Sequence, residues 1–200
     1  MAKRSSLSPL DFAWLKPNIE VWLQHTPSGT NEVFVKVKLV DFDFDTNKAV
    51  LSYNNEEMTA ESNLIFPINP QDSDGFEDMV NMENLNEAEL LYNVKMRYDK
   101  NKIFTYVGPT LLAMNPYMQI KELFTDEILN YYQEQANQPH FVIKDHPPHI
   151  YAVAGAVFNA LIENKRNQAI VISGESGAGK TEETKLAMKF ITSMGMCSVI

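Results

Sequence analysis

The feature that most constrains this chain of 200 residues is a glycine-rich loop at 174–181, which reads GESGAGKT and fits the pattern G-x-x-x-x-G-K-[ST]. An apolar run precedes the loop at 169–172, and a helical pattern follows it from Lys180 to about Met194. Successive backbone N–H groups of such a loop turn inward, and its glycines permit the tight wrapping. Because the loop also leads into the positive end of a helix dipole, the pattern predicts a binding site for phosphate groups.

Two side chains of the loop extend this prediction to a nucleoside triphosphate. Lys180 places a positive charge against the outer phosphates, and the hydroxyl of Thr181 can coordinate a Mg²⁺ ion that bridges phosphate oxygens. The loop alone does not name a reaction, because kinases, ATPases and GTPases all use it, and no catalytic residue is predicted. The candidate binding residues are Gly174, Glu175, Ser176, Gly177, Ala178, Gly179, Lys180 and Thr181, with Thr181 as the candidate metal ligand.

Composition argues against several other classes of protein. The net charge of −9 disfavours a chain whose main task is to hold nucleic acid, since phosphate contacts need clustered lysine and arginine. The single cysteine, Cys197, is predicted to pack in an apolar setting and cannot form an internal disulfide or a cysteine-built metal site, so we expect a reducing, intracellular compartment. No apolar run reaches the roughly 18 residues of a membrane-spanning helix, and residues 1–10 lack the apolar run of a signal peptide.

The first part of the chain has the pattern of strands. Apolar residues alternate with others at a period of two, and turn residues at 26–29 and 46–47 interrupt the alternation. Several short strands with turns between them predict a small antiparallel barrel. We predict its strands over 19–23, 33–39, 49–53 and 63–67.

A polar and acidic stretch follows this strand-rich part. The acidic residues concentrate between Asp72 and Glu89, and they predict a solvated linker that leads into the start of a helix. Pro70 and Gly75 make this stretch the best candidate for a domain boundary.

Helical and strand patterns mix after the boundary. The first helix is capped by Asn84 or Asn86 and runs to about Tyr98, and a later one begins at Pro148. The apolar run before the loop is expected to be a central strand that is buried on both faces. We predict further strands over 103–107, 111–114 and 169–173, and further helices over 121–136, 148–161 and 180–194.

The loop and its neighbours resemble myosin motor domains. Residues 172–182, ISGESGAGKTE, match the ATP loop of that family letter for letter. Other motifs resemble, in family order, the helix that opens the motor core, its first core strands, its purine-binding loop and the helix that leads to the ATP strand. These motifs are LNEA at 85–88 with Arg97-Tyr98, IFTYVG at 103–108, NPY at 115–117 and PPHI at 147–150. The core resemblance spans roughly Leu85 to Met194.

The resemblance implies a fold and a set of residue roles. The fold is an incomplete α/β P-loop NTPase core preceded by a small all-β barrel, similar to the SH3-like barrel that many myosins carry. Lys180 and Thr181 are implied to contact the phosphates of ATP and its Mg²⁺, and Asn115 and Pro116 to border the adenine. The implied organisation is a tail at 1–11, the SH3-like barrel at 12–70, a linker at 71–84 and the N-terminal part of the motor domain at 85–200.

The resemblance also implies partners. These are ATP and, through the complete motor, actin filaments, with a location in the cytoplasm and the cytoskeleton, and neither nucleic acid nor an integral membrane segment is expected. The resemblance leaves the myosin class and any light chains open. Two positions depart from the family pattern: Met118 stands where a basic residue is usual, and Phe124, the aromatic residue expected near the adenine, is displaced by one position.

Alternatives to a working motor remain open. Myosins place two switch segments, which contact the γ-phosphate and position the attacking water, after the region matched here. Residues 1–200 alone are therefore expected to bind ATP without turning it over, as a nucleotide-binding module. Gly75-Phe76-Glu77 repeats letters of the second switch, but it precedes the loop and is interpreted as coincidence. A different P-loop enzyme, such as a small nucleotide kinase, usually carries its loop near the start of the domain.

Overall fold

The computed structural model describes residues 14–24, 32–70 and 73–197, with side chains described up to 195. Two compact units share the chain. The first unit contains residues 1–71 and 82–92, and the second contains 72–81 and everything from 93 onward. The predicted tail at 1–11, the predicted turn at 26–29 and the side chain of Cys197 lie outside the described residues.

The first unit is built on a five-stranded antiparallel sheet with the spatial order β4-β3-β2-β1-β5. The four predicted strands are confirmed in position. A fifth, β4, was missed because most of its residues are polar and none is fully buried. The strands are β1 (Glu20–Leu23), β2 (Val35–Asp43), β3 (Lys48–Tyr53), β4 (Glu56–Glu61) and β5 (Ile65–Pro67).

Alternation along β2 supplies much of the core of the first unit. Val35, Val37 and Leu39 point inward, as a period of two requires. The register between β2 and β3 then shifts between Leu39 and Asp41, which marks a β-bulge. Because a bulge moves the following residues to the opposite face, Phe42 is buried where an unbroken alternation would have buried Asp41.

The carboxylate of Glu89 is a buried polar centre in the first unit. Its Oε1 accepts a hydrogen bond from Trp22 Nε1 at 2.6 Å, and its Oε2 accepts one from Asn69 Nδ2 at 2.9 Å. The backbone N–H of Glu89 donates to Asn86 Oδ1 at 3.0 Å, which caps the start of α1 (Glu87–Asp99). A buried carboxylate is tolerated here because N–H donors take both of its oxygens.

The second unit combines a β-hairpin with a cluster of helices. Strands β6 (Phe104–Val107) and β7 (Thr110–Ala113) pair around the turn at Gly108. The helices that follow pack around the buried rings of Tyr151 and Phe190, whose centroids lie 5.5 Å apart. They are α2 (Asp126–Ala136), α3 (Ile150–Asn164) and α4 (Lys180–Cys197).

The helix predicted over 121–136 is divided in the structure. Residues Lys121–Leu123 form a 3₁₀ turn, and α2 begins only at Asp126. The cause is Thr125, whose hydroxyl accepts a hydrogen bond from the backbone N–H of Ile128 at 3.3 Å and so fixes the start of the helix.

The prediction of a buried central strand at 169–173 is wrong for this structure. These residues have no regular secondary structure, and the side chain of Val171 is 88% exposed. Ile170 is the residue of this segment that packs against the core of the second unit. Within the described part of the chain no strand pairs with 169–173, and an apolar run forms a strand only when a neighbour satisfies its backbone groups.

The interpretation of the acidic stretch as a solvated linker is also wrong in part, because Asp78 and Glu89 are both buried. The segment before α1 is held on the second unit. Asn93 Oδ1 accepts a hydrogen bond from the backbone N–H of Phe76 at 2.7 Å, and Asn93 Nδ2 donates to the carbonyl oxygen of Phe76 at 3.1 Å. A Cβ on Gly75, which has a φ of +72°, would lie 2.8 Å from Asn93 Oδ1, so the glycine of this Gly-Phe-Glu sequence serves close packing.

His149 is a buried histidine that starts α3. Its Nδ1 accepts a hydrogen bond from the backbone N–H of Tyr151 at 3.0 Å, so its Nε2 carries the proton and donates to the carbonyl of Leu123 at 3.0 Å. The ring stacks on Tyr132 with centroids 5.2 Å apart. Burial disfavours the charged imidazolium and lowers the pKa of His149 to about 4.

We predict that Glu89→Gln destabilises the fold by about 1 to 3 kcal/mol, because an amide group then faces two N–H donors with only one acceptor atom. Glu87→Gln is the matched control, since Glu87 is exposed on the same helix, and it should change stability by less than about 0.5 kcal/mol. Urea unfolding of residues 1–200, followed by far-UV circular dichroism, measures both. Equal midpoints for the two variants would contradict the role assigned to Glu89.

We predict that His149 contributes a loss of stability as the pH is lowered from 7 to 5. The pKa of His149 is about 4 in the folded chain and about 6.5 unfolded, so the unfolded state takes up the proton first and the contribution of the neutral ring is lost below pH 6.5. The expected loss from this residue is about 2 kcal/mol over that interval.

The variant His149→Asn isolates this effect. Asparagine keeps a side-chain oxygen that can cap α3 but does not titrate. Between pH 7 and 5 the original chain should therefore lose stability relative to this variant, whatever their absolute stabilities, because the other titratable groups are the same in both. Parallel pH profiles for the two proteins would show that His149 is not the titrating group.

Candidate nucleotide-binding site

The glycine-rich loop runs directly into α4, which begins at Lys180. Gly177 has a φ of +80° and Gly179 a φ of +100°, both in the region that residues with a Cβ rarely adopt. The first five residues of the loop are exposed, while Gly179 and Lys180 are half-buried and Thr181 is exposed. The loop is thus placed at the surface, at the N-terminus of an 18-residue helix.

Four backbone N–H groups at this helix start are free for a ligand. Among the described residues, no protein acceptor takes the N–H groups of Gly177, Gly179, Lys180 or Thr181. The first N–H groups of a helix lack intrahelical partners, and the dipole of the helix adds positive potential at the same place. This arrangement can bind an anion with several oxygens, such as a phosphate chain.

Lys180 folds back over the loop. Its Nζ donates to the carbonyl oxygens of Gly174 at 2.8 Å and Glu175 at 2.7 Å. The ammonium group therefore lies against the backbone of the loop. An anionic ligand of sufficient charge can replace these neutral carbonyl acceptors, because hydrogen bonds between two charged groups are stronger.

The Thr181 side chain lines a small cavity of about 240 Å³, whose walls also include Lys180 and Glu182. Among the described residues, no group of three histidine, cysteine, aspartate or glutamate side chains could hold a metal ion. One hydroxyl fits a Mg²⁺ ion that keeps phosphate oxygens and water as its other ligands, which is the usual situation for this metal. Thr181 could therefore serve as a ligand for Mg²⁺ that arrives with a nucleotide, and the described residues contain no independent cluster of metal ligands.

A larger cavity of about 500 Å³ adjoins the loop. Residues 115–119 form one of its sides and the first turns of α4 form another, while Ile103, Phe124 and Leu186 give it apolar walls. The structure thus brings Asn115 and Pro116 next to the loop, as the sequence predicted. It also brings Phe124 there, in spite of its displaced position. Met118 is 65% exposed at the rim and supplies no charge.

Asn115 joins the two sequence-predicted segments directly. Its Nδ2 donates to the carbonyl oxygen of Gly177 at 2.7 Å, and its Oδ1 accepts the backbone N–H of Tyr117 at 2.9 Å. Asn115 and Gly179 line both cavities, so the apolar cavity and the loop meet at these two residues.

Comparison with known proteins decides the family, because residues 76–198, more than half of the chain, match the myosin head (motor domain). This chain belongs to the myosin head family. The resemblance seen in the sequence is confirmed, and the match begins at Phe76, earlier than the Leu85 expected from the motifs.

Three relatives illustrate the similarity. The chain is 38% identical over 172 residues to Myosin-M heavy chain of Dictyostelium discoideum, covering 86% of this chain and 9% of that protein. It is 40% identical over 146 residues to Myosin-4 of Arabidopsis thaliana, covering 73% and 12%. It is 35% identical over 173 residues to unconventional myosin-VI of Homo sapiens, covering 86% and 13%. The chain therefore spans a small part of the length of these relatives. In the described residues no helix has the length and apolar character to cross a membrane.

Glu183 lines this candidate site, and the sequence did not predict it. It lies between the larger cavity and a second one of about 450 Å³ beside residues 169–173. Its Oε2 is buried without a hydrogen-bond partner among the described residues, and burial raises the pKa of Glu183 to about 7. The available signal was its spacing: Glu183 precedes Ala187 and Phe190, the buried residues of α4, by four and seven positions.

We predict that Glu183→Gln stabilises the chain more at pH 8.5 than at pH 5.5. The folded pKa of about 7 lies above the unfolded value, so the folded state is favoured as the pH falls through 7 and bears the cost of a buried charge above it. Since the carboxyl group keeps partial contact with solvent, the expected gain at pH 8.5 is about 1 to 2 kcal/mol.

Urea unfolding at the two pH values measures this gain. Glu182→Gln is the matched control, because Glu182 is exposed and pairs with Lys185 at 2.7 Å in the same turn of α4. Its effect should be small and equal at both values. A gain for Glu183→Gln that does not depend on pH would contradict the assignment.

Proposed function

We propose that this chain is the ATP-binding portion of an actin-based myosin motor. The observation that carries the proposal is the set of four free N–H groups at the start of α4, beside Lys180 and next to an apolar cavity of about 500 Å³. A triphosphate needs the first feature and a purine base needs the second. Membership of the myosin head family supports ATP as the nucleotide.

In this proposal the base and the phosphates are held by different means. The adenine lies in the apolar cavity, bordered by Asn115 and Pro116, with Phe124 on its wall. The phosphate oxygens accept hydrogen bonds from the N–H groups of the loop. The Lys180 ammonium group leaves the carbonyl oxygens of the loop and donates to phosphate oxygens instead. The Thr181 hydroxyl would hold Mg²⁺, which would neutralise phosphate charge when bound.

The corresponding domain organisation is proposed as well. Residues 12–70 form an SH3-like barrel, which the five-stranded antiparallel sheet supports. Residues 85–200 form the N-terminal part of the motor domain, an incomplete α/β P-loop NTPase core, and 71–84 connect the two. In the complete protein, ATP hydrolysis at this site drives movement on actin filaments, in the cytoplasm and the cytoskeleton.

A second candidate function is nucleotide binding without turnover by residues 1–200. It is favoured by the small cavity beside the loop, because Glu182 is the one carboxylate among the described residues that line it. Glu182 pairs with Lys185 at 2.7 Å, so it is not placed to act as a general base on an attacking water. Hydrolysis needs a group that orients the attacking water in line with the γ-phosphate. The loop contributes charge stabilisation only.

We predict that Lys180→Ala weakens the binding of Mg-ATP to residues 1–200 by about 10- to 100-fold, the usual effect of removing a hydrogen-bonding charge from a phosphate. Lys189→Ala is the matched control, since Lys189 is exposed further along the same helix, and it should leave the affinity unchanged. Isothermal titration calorimetry measures both. Absence of ATP binding by the unaltered chain would sink the proposal.

Phosphate release from the same proteins, with and without actin filaments, separates the two candidate functions. Residues 1–200 are expected to bind ATP and release no phosphate above the background. Turnover that disappears in Lys180→Ala would instead show that this polypeptide carries a working catalytic site.

A further inference from the structure

The amide group of Asn115 is engaged on both of its polar atoms. Nδ2 donates to the Gly177 carbonyl at 2.7 Å and Oδ1 accepts the Tyr117 N–H at 2.9 Å. Nδ2 is bonded to the glycine-rich loop and Oδ1 to the segment that contains Asn115 itself, so only one orientation of the amide satisfies both contacts. The carbonyl oxygen of Asn115 itself accepts the hydroxyl of Tyr98 at 3.5 Å, so the backbone of this residue is also tied to α1.

The bond to Gly177 restrains a peptide that little else holds. A Cβ built on Gly177 would meet no described atom within 4 Å, so no packing limits this residue, and its φ of +80° is one of many that glycine can adopt. The other end of the same peptide, the N–H of Ala178, donates to the carbonyl of Glu175 at 3.2 Å. Because a trans peptide is planar, holding its oxygen at one end and its N–H at the other fixes the plane.

A second point of approach lies one residue beyond this peptide. A Cβ on Gly179 would stand 3.9 Å from the Cβ of Asn115, which is an ordinary van der Waals contact. Asn115 thus lies beside the loop from Gly177 to Gly179. This stretch contains the first of the N–H groups that have no protein acceptor. Tyr117, which has a φ of +51°, is held in that unfavourable conformation by the same amide.

We infer that Asn115 is a positioning residue for the phosphates, acting through the Gly177–Ala178 peptide, in addition to bordering the base. The inference rests on the proposed function of this site. A residue that only borders the base matters for ligands that contain a base. A residue that orients the phosphate loop also matters for a ligand that has none, and pyrophosphate is such a ligand.

The experiment compares Mg-ATP, Mg-pyrophosphate and adenosine as ligands of residues 1–200. Each displaces a fluorescent ATP analogue, and the inhibition constants are compared between variants. Asn115→Ala should weaken pyrophosphate by about 3- to 10-fold, the effect of one lost hydrogen bond, and should weaken ATP at least as much. Pro116→Ala is the matched control: Pro116 borders the same cavity and makes no hydrogen bond to the loop, so it should weaken adenosine and ATP but leave pyrophosphate unchanged.

Asn115→Ser provides a second variant in case the alanine variant folds poorly, and hydrogen exchange at the Ala178 amide, which donates to Glu175 at 3.2 Å, provides a second measurement. Both variants should exchange this amide faster while α4 is unaffected. The inference is overturned if Asn115→Ala weakens adenosine and ATP but not pyrophosphate, if it weakens none of the ligands, or if Pro116→Ala weakens pyrophosphate equally. It is also overturned if the unaltered chain binds ATP but not pyrophosphate, since the loop would then not be preformed. A chain that binds neither ligand instead refutes the proposed function.

Discussion

The stacking of Tyr151 on Phe190 is the interaction on which the second unit depends. Both rings are fully buried, one on α3 and the other on α4, and their stacking packs the two helices together. Gly155 extends this core, since a Cβ there would lie 3.0 Å from the Cβ of Ala136 on α2 and force the two helices apart. The N–H groups at the start of α4 can serve as a binding site because this packing keeps them in one place.

An acidic chain that is proposed to bind a polyanion has to solve an electrostatic problem locally. The net charge of −9 offers no general attraction, and Glu175, Glu182 and Glu183 all lie at or beside the loop. The structure answers with fixed dipoles and one lysine, and burial raises the pKa of Glu183 to about 7, so that this carboxyl group is largely protonated only below neutral pH. Oriented N–H groups act over short distances, so they remain effective where a field spread over the whole protein is unfavourable.

Local patterns were sufficient for features whose cause is local. The alternation of β2, the cap of α1 and the loop at 174–181 were read from the sequence because neighbouring residues determine them. Features that depend on distant partners were missed. The sequence around Glu89 is typical of a surface residue, and only the fold brings Trp22 and Asn69 to its carboxylate. The apolar run at 169–173 is typical of a buried strand, but no strand among the described residues pairs with it. The hydrogen bond from Asn115 to Gly177 joins positions that are 62 residues apart, so no local sequence pattern predicts it.

The hydrogen bond from Trp22 to Glu89 has a spectroscopic consequence. The chain has two tryptophans, Trp14 and Trp22, and both belong to the first unit, whereas the second unit contains tyrosine and phenylalanine as its aromatic fluorophores. The indole N–H of Trp22 donates to the buried carboxylate of Glu89, and the ammonium group of Lys36 lies 5.1 Å from the centroid of the ring. These two charges shift and quench the emission of the indole. Intrinsic tryptophan emission therefore observes the first unit alone, and any change in it on addition of nucleotide reports that an event at the loop has been transmitted along the chain.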